Sequence, residues 1–246
     1  MHRLDELPND LSQGSLDNIL GDVTQENEPQ EPGGQEELPL FPLNVVLFPG
    51  MPLPLHIFEE RYKEMIGECL EHDIPFGIVL IREGPEVGGS AEPYTVGTTA
   101  RIARVEQLDE GRMNLLTEGK RRFRILEVTQ RQPYLKGRVE YIPEEPGQLS
   151  EETLTEAGEL FGSCLQSVAG LRGRWVSRGK VPEDVLALSY TISHFLDLSP
   201  HTRQQLLEAG SVQERLDEVM PLLRSRCERA RKELVKRTPF QGFRLN

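Results

Sequence analysis

Cysteine, aromatic residues and long apolar runs are all scarce in this sequence, and each scarcity excludes something. Only three cysteines occur among 246 residues, Cys69, Cys164 and Cys227. They lie far apart and form no CxxC pair, which argues against structural zinc or a disulfide framework and leaves buried free thiols as the expectation. No stretch approaches the ~20 apolar residues that a bilayer crossing needs. The N-terminus has no apolar core of a signal peptide and too many acids for a transit peptide. A reduced, cytoplasmic protein without membrane contact is therefore expected. Hydrophobic residues make up 37% of the chain and aromatics 6%, dilute enough that a disordered tail belongs somewhere. Bases are short as well, 28 against 40 acids, for a net charge of −12.

Catalytic signatures are also missing. The chain has no GxxxxGK[ST] phosphate loop: its two Gly-Lys pairs continue as Arg121 and Val181, where Ser or Thr would hold magnesium. No serine stands in a Gly-x-Ser-x-Gly elbow. His56, Glu59 and Glu60 have the residue types of a metal cluster. No second histidine shares a helical face with His56, however, and carboxylates at a helix start are explained by the helix dipole. His194, beside Phe195, reads as a core or boundary histidine. No catalytic residue, cofactor or metal is expected.

What is present is sharply organised. Residues 1–37 carry ten acids against the single base Arg3, which is −9 of the total charge, and end in a linker of Pro and Gly. They read as a disordered acidic tail, although Leu4, Leu7, Leu11, Leu16, Ile19 and Leu20 would offer an apolar stripe on folding against a partner. Residues 38–146 read as a barrel of short strands. Val45-Val46-Leu47-Phe48 and Phe76 to Ile81 are apolar runs, Asp109-Glu110-Gly111 suits a hairpin loop, and Leu135, Val139 and Tyr141 alternate with Lys136, Arg138 and Glu140. One helix interrupts them, with Phe58, Tyr62, Met65, Ile66 and Cys69 as its stripe. Residues 147–246 read as a helical bundle. Ser150 caps a helix with the stripe Leu154, Ala157, Phe161, Leu165 and Val168, and a second helix runs from Pro182. Ser199-Pro200 opens a third, and the capping-box spacing Ser211 to Glu214 opens a fourth that carries Val219, Leu223, Cys227, Ala230 and Leu234, with Pro221 as a candidate kink. The class is α+β.

Leu38-Pro-Leu-Phe-Pro-Leu-Asn-Val-Val-Leu-Phe-Pro-Gly50 followed by Leu53-Pro-Leu-His-Ile-Phe-Glu-Glu-Arg-Tyr62 resembles the opening of the N-terminal, substrate-binding domain of Lon proteases. Phe76-Gly-Ile-Val-Leu80, Val96-Gly-Thr-Thr-Ala-Arg-Ile102, Gly119-Lys-Arg-Arg-Phe-Arg-Ile125 and the helical close through Arg215-Leu216 resemble later parts of that domain, in order. The resemblance implies a PUA-like pseudo-barrel followed by a helical subdomain, in a stand-alone relative without ATPase or peptidase parts. It further implies a non-catalytic module that recognises unfolded or peptide clients, or a protease or chaperone partner, as a proteolysis adaptor.

Two sets of residues are candidates for contact. For peptides or protein partners they are Met51, Tyr94 in the loop after Gly84, and Trp175, an aromatic flanked by Arg172, Arg174 and Arg178. Each also suits the filling of a gap in the core. The alternative is RNA on the basic strand Lys120, Arg121, Arg122 and Arg124. There the strand period puts Phe123 and Ile125 on one side and Arg122 and Arg124 on the other, as an ordinary solvated face would also do. A pI near 5.0 opposes phosphate at long range. The last helix carries Arg224, Arg226, Arg229, Arg231, Lys232, Lys236 and Arg237 and suits an acidic partner or the acidic head.

Overall fold

A computed structural model describes residues 35–89, 91–171 and 181–237, all within one compact unit, Pro32–Asn246. Residues 1–34 of the acidic head, and Trp175 with its flanking arginines, lie outside the described residues. Among those described, no helix is long and apolar enough to cross a membrane.

Six strands precede the helical part: β1 (Gln35–Leu43), β2 (Pro52–Ile57), β3 (Phe76–Glu83), β4 (Glu92–Gln107), β5 (Met113–Gln130) and β6 (Leu135–Tyr141). Their order is β2-β5-β4-β3-β1-β6, and β5 also pairs with β6. This closes β1, β3, β4, β5 and β6 into a barrel, with β2 as a flap on the first half of β5. Closure removes the unpaired edges that an open sheet would leave. β1 and β3 are parallel neighbours; the other pairings are antiparallel. The Lon-like segments from Val96 and from Gly119 turn out to be hydrogen-bonded partners, with Gly97 opposite Phe123 and Ala100 opposite Gly119.

Phe123 fills the barrel interior with Leu38, Leu40, Val79, Leu135, Val139 and Tyr141. Glycine makes room for it: a Cβ at Gly97 would stand 2.8 Å from its ring and 2.5 Å from the carbonyl of Ile78. α1 (Glu60–His72) covers a second face of the sheet and buries Tyr62, Met65, Ile66 and Cys69, each worth about 1.5–3 kcal/mol if fully removed from water. Asp73 ends it in the left-handed conformation, φ 50°, which Asp tolerates better than most residues. Phe58 does not join this stripe and is exposed.

Three local expectations shift. Strand pairing reaches back beyond Leu38, because Gln35, Glu36 and Glu37 already pair with Glu140, Val139 and Arg138 of β6, and Glu36 accepts the Tyr141 hydroxyl at 2.6 Å. Val45 to Phe48 is no strand. It crosses the barrel with Val46 and Phe48 in one apolar cluster and Leu47 in another, while the Leu47 carbonyl accepts from the buried Thr98 hydroxyl at 2.7 Å. Its unbroken hydrophobicity reflects burial on two sides, not sheet pairing. β4 and β5 are long, 16 and 18 residues, and bend through register shifts rather than breaking into short strands.

Four helices follow: α2 (Glu151–Leu171), α3 (Val185–Phe195), α4 (Pro200–Glu208) and α5 (Val212–Arg237). Ser150, Asp184, Ser199 and Ser211 each accept a backbone N–H in the first turn, and Glu214 reaches back to the Gly210 amide at 2.7 Å. The second of these helices thus starts at Val185, capped by Asp184, and not at Pro182. Ala157, Phe161, Leu188, Ile192, Val219, Leu223 and Cys227 pack with Val46, Phe48, Leu80 and Val96 of the barrel part in one shared core. α5 runs through Pro221 as a single element.

Candidate functional site

The basic strand proved to be two different things. Lys120 and Arg124 are exposed; Lys120 pairs with Glu118 at 3.0 Å, and the Arg121 guanidinium sits 3.9 Å over the Tyr141 ring. Arg122, expected beside Arg124 on the solvated face, is 1% exposed. Its Nε and Nη2 donate to the two carboxylate oxygens of Glu144 at 2.8 and 2.9 Å. Nη1 donates to the carbonyls of Leu207 and Ala209 at 2.8 and 2.7 Å. The β5 register is regular through the pairs Thr98–Arg122, Gly97–Phe123 and Val96–Arg124, so alternation does put Arg122 and Arg124 on one face; at Arg122 that face is covered by the end of α4 and the linker after β6.

The same carboxylate gathers a second arginine. Arg215 of α5 is fully buried, donates to the Leu206 carbonyl at 3.0 Å and to Ser189 Oγ at 2.9 Å, and stands 3.8 Å from Glu144. Its guanidinium lies 4.0 Å from the Tyr190 ring centroid, and the Tyr190 hydroxyl donates to Glu144 at 2.7 Å. Burial lowers the pKa of Arg215 and raises that of Tyr190. Two cations, one carboxylate and one phenol therefore bind the last turn of α4, whose carbonyls form the negative end of a helix, to β5 and to the linker after β6. The two arginines and the phenol are buried, and the partly exposed carboxylate is held by their donors. The cluster joins the barrel to the helices, and sequence reading missed it except for one signal: Arg215 occupies an apolar-stripe position between Val212, Leu216 and Val219.

Of the nominated contact residues, Met51 and Tyr94 are half-buried. Met51 packs against two of the apolar clusters, and Tyr94 packs against the helical core with its hydroxyl 3.2 Å from His201 Nδ1. His56 hydrogen-bonds Asn114 at 2.8 Å, and Glu59 holds Arg61 at 2.9 Å and the Gly88 amide at 3.2 Å. Among the described residues, no three His, Cys, Asp or Glu side chains are placed to hold a metal. His194 is exposed.

A cleft of about 380 Å³ opens where the loop after β3 meets the start of α1 and the β5–β6 turn, lined by Pro42, Arg61, Tyr62, Glu86, Arg131 and Pro133 among others. Arg61 Nη1 fixes the loop through the Gly89 carbonyl at 2.8 Å, and Asn44 fixes it through Glu86 at 2.7 Å. Between the lining residues Glu86 and Gly88, Val87 is 49% exposed. The cleft thus mixes charged and apolar lining residues, at the small end of ligand-site volumes. Other exposed apolar side chains flank α1, with Phe58 before it and Leu70 and Ile74 at its far end.

Known proteins resemble this chain along most of its length. Residues 37–225 match the family described as ATP-dependent protease La (LON) substrate-binding domain. Lon protease of Paraburkholderia phytofirmans is 32% identical over 203 residues, 78% of this chain and 25% of that protein. Lon protease 2 of Myxococcus xanthus is 30% identical over 203 residues, 78% and 24%. The chain thus spans about a quarter of the length of these relatives. The crystal structure of a Lon N-terminal domain protein from Xanthomonas campestris superposes with a TM-score of 0.59 at 27% identity, covering 76% of this chain and 98% of that one. The N-terminal domain of the Mycobacterium avium complex Lon protease has the same fold, with a TM-score of 0.58 at 21% identity over 78% and 98%. By its sequence over 37–225 and by its barrel-and-helix fold, the chain belongs to the Lon substrate-binding domain family.

Proposed function

We propose that this protein is a non-catalytic recognition module that binds unfolded polypeptide segments in the cytoplasm and presents them to a separate protease or chaperone, as a proteolysis adaptor. The match of residues 37–225 to a substrate-binding domain carries the reading. The cleft beside Val87, with exposed Phe58, Leu70 and Ile74 around α1, supports it, because unfolded clients are recognised by the apolar side chains that folded proteins hide. Met51, Tyr94 and Trp175 remain its secondary candidates. The RNA alternative loses its central residue, since Arg122 is spent inside the protein on Glu144 and two carbonyls.

The test is fluorescence anisotropy with a labelled, reduced and carboxymethylated polypeptide on the full chain. Binding should change little between about 50 and 200 mM salt, where phosphate-directed binding falls steeply. Val87→Glu and Leu70→Glu should weaken it, and Trp175→Ala and Tyr94→Phe measure the secondary candidates. Failure to bind any unfolded chain, or a steep salt slope with competition by an RNA oligomer and loss in Arg124→Ala, would sink the proposal.

A further inference from the structure

Two of the three cysteines, distant in sequence, meet in the fold. α2 and α5 run side by side in the same direction: Glu156 pairs with Arg224, Ser163 Oγ accepts from Arg231 at 2.5 Å, and a Cβ at Gly170 would lie 3.3 Å from Leu234. In that register the inward positions Cys164 and Cys227 face each other within one apolar cluster. They are 0% and 1% exposed, both are free thiols, and the neighbouring Cys227 thiol helps burial to raise the pKa of Cys164. Cys69 lies in a different cluster, under α1.

We propose that Cys164 and Cys227 are an oxidation site, a dithiol that a hydroperoxide converts to a disulfide stapling α2 to α5. The sulfur of one cysteine, as thiolate, attacks the peroxide; the O–O bond breaks, leaving a sulfenic acid and one water. The second sulfur attacks the sulfenic sulfur, the S–O bond breaks, and the second water leaves with the remaining thiol proton. Two thiols lose two electrons and the peroxide is reduced to two waters. A facing partner favours this outcome over sulfinic acid, because the second thiol intercepts the sulfenic acid before more peroxide reaches it. Burial sets the pace. It pushes Cys164 up to about 11, so little thiolate exists at neutral pH and the pair stays silent until oxidation is sustained or alkaline.

The experiment exposes the folded full chain to hydrogen peroxide between pH 7 and 9, unfolds it, blocks free thiols with N-ethylmaleimide and maps the peptides. The expected product is monomeric, about 2 Da lighter before blocking, with a peptide linking Cys164 to Cys227 and a single blocked thiol at Cys69. Its rate should rise about tenfold per pH unit, following the thiolate. Cys69→Ser should form the staple unchanged, and the oxidised protein should melt higher than the reduced one. Oxygen adducts on Cys164 or Cys227 in place of the bond, a link through Cys69, intermolecular dimers or a lower melting temperature would each overturn the proposal. The assignment is read on the wild-type chain, so it stands or falls even if Cys227→Ala fails to fold.

Discussion

Replacing Arg122 with methionine keeps most of the side-chain volume and removes the charge, isolating what the guanidinium does. The substitution strips Glu144 of a bidentate partner and leaves the Leu207 and Ala209 carbonyls without their donor. Removing one member of a buried ion pair costs about 3–5 kcal/mol, and an unsatisfied buried acceptor costs about 1–3 kcal/mol. Two facts moderate the sum. Glu144 keeps the Tyr190 hydroxyl and the nearby Arg215, and its side chain is 25% exposed, so water takes part of the load. The expected loss is about 3–5 kcal/mol, a large share of the ~5–15 kcal/mol that holds a typical domain together. Urea unfolding followed by far-ultraviolet circular dichroism measures it, with Arg124→Met as the reference: same strand, same change, exposed side chain, and an expected effect within about 0.5 kcal/mol. If the Arg122 variant is no less stable than the Arg124 variant, the buried latch has no energetic role and the reasoning fails.

Other outcomes follow from the same geometry. Glu144→Gln leaves Arg122 and Arg215 close together without their anion, so it should also lower the urea midpoint; combined with Arg122→Met, it should cost less than the sum of the two, in a double-mutant cycle. Gly97→Ala drives a methyl against the Ile78 carbonyl, the Val79 side chain and the Phe123 ring and should cost about 1–3 kcal/mol or more; Phe123→Leu should recover part of that loss, since it removes one of the three clashes. Tyr190 is held neutral by burial, its pKa raised above the ordinary 10.0. Its contribution is therefore complete below pH 10 and is lost as pH climbs toward the folded value, because only the unfolded chain then ionises. Tyr190→Phe should flatten the alkaline fall in stability by about 1.4 kcal/mol per pH unit above 10. Glu68 shifts the other way, lowered chiefly by the Tyr134 hydroxyl; its stabilisation is present above the ordinary 4.5 and fades as acid protonates it, so Tyr134→Phe should make the acid limb of the stability curve shallower.

Much of the architecture was legible because period and capping are local. The α1 stripe, the β6 alternation and the serine caps of α2, α4 and α5 each follow from spacing over a few residues. The Val45 to Phe48 run was misread because hydrophobicity records burial and not the direction of hydrogen bonds, and this segment is buried between two clusters without a ladder. Arg122 was misplaced for a different reason: strand parity correctly puts it on the face of Arg124, but parity over a few residues does not reveal that the distant end of α4 covers that face at Arg122. Glu144 sits in a stretch of Pro, Glu and Gly that reads as a plain linker; its role depends on Arg215 and Tyr190, which are far away in sequence. The cleft beside Val87 was illegible for the same reason, being assembled from β1, α1, the loop after β3 and the β5–β6 turn.

The shared carboxylate of Glu144 also limits how the protein can be divided. Strands end at Tyr141 and helices begin at Glu151, so Pro146 looks like a natural place to cut. A barrel severed there would retain Arg122 and Glu144 but lose the carbonyls and the second cation that complete them, and it would expose Val46, Phe48, Leu80 and Val96 to water. The helices alone would carry Arg215 in an apolar stripe with no anion to receive it. Transplanting either half onto another protein therefore transfers an uncompensated charge and half of a core, and the two halves are portable only together.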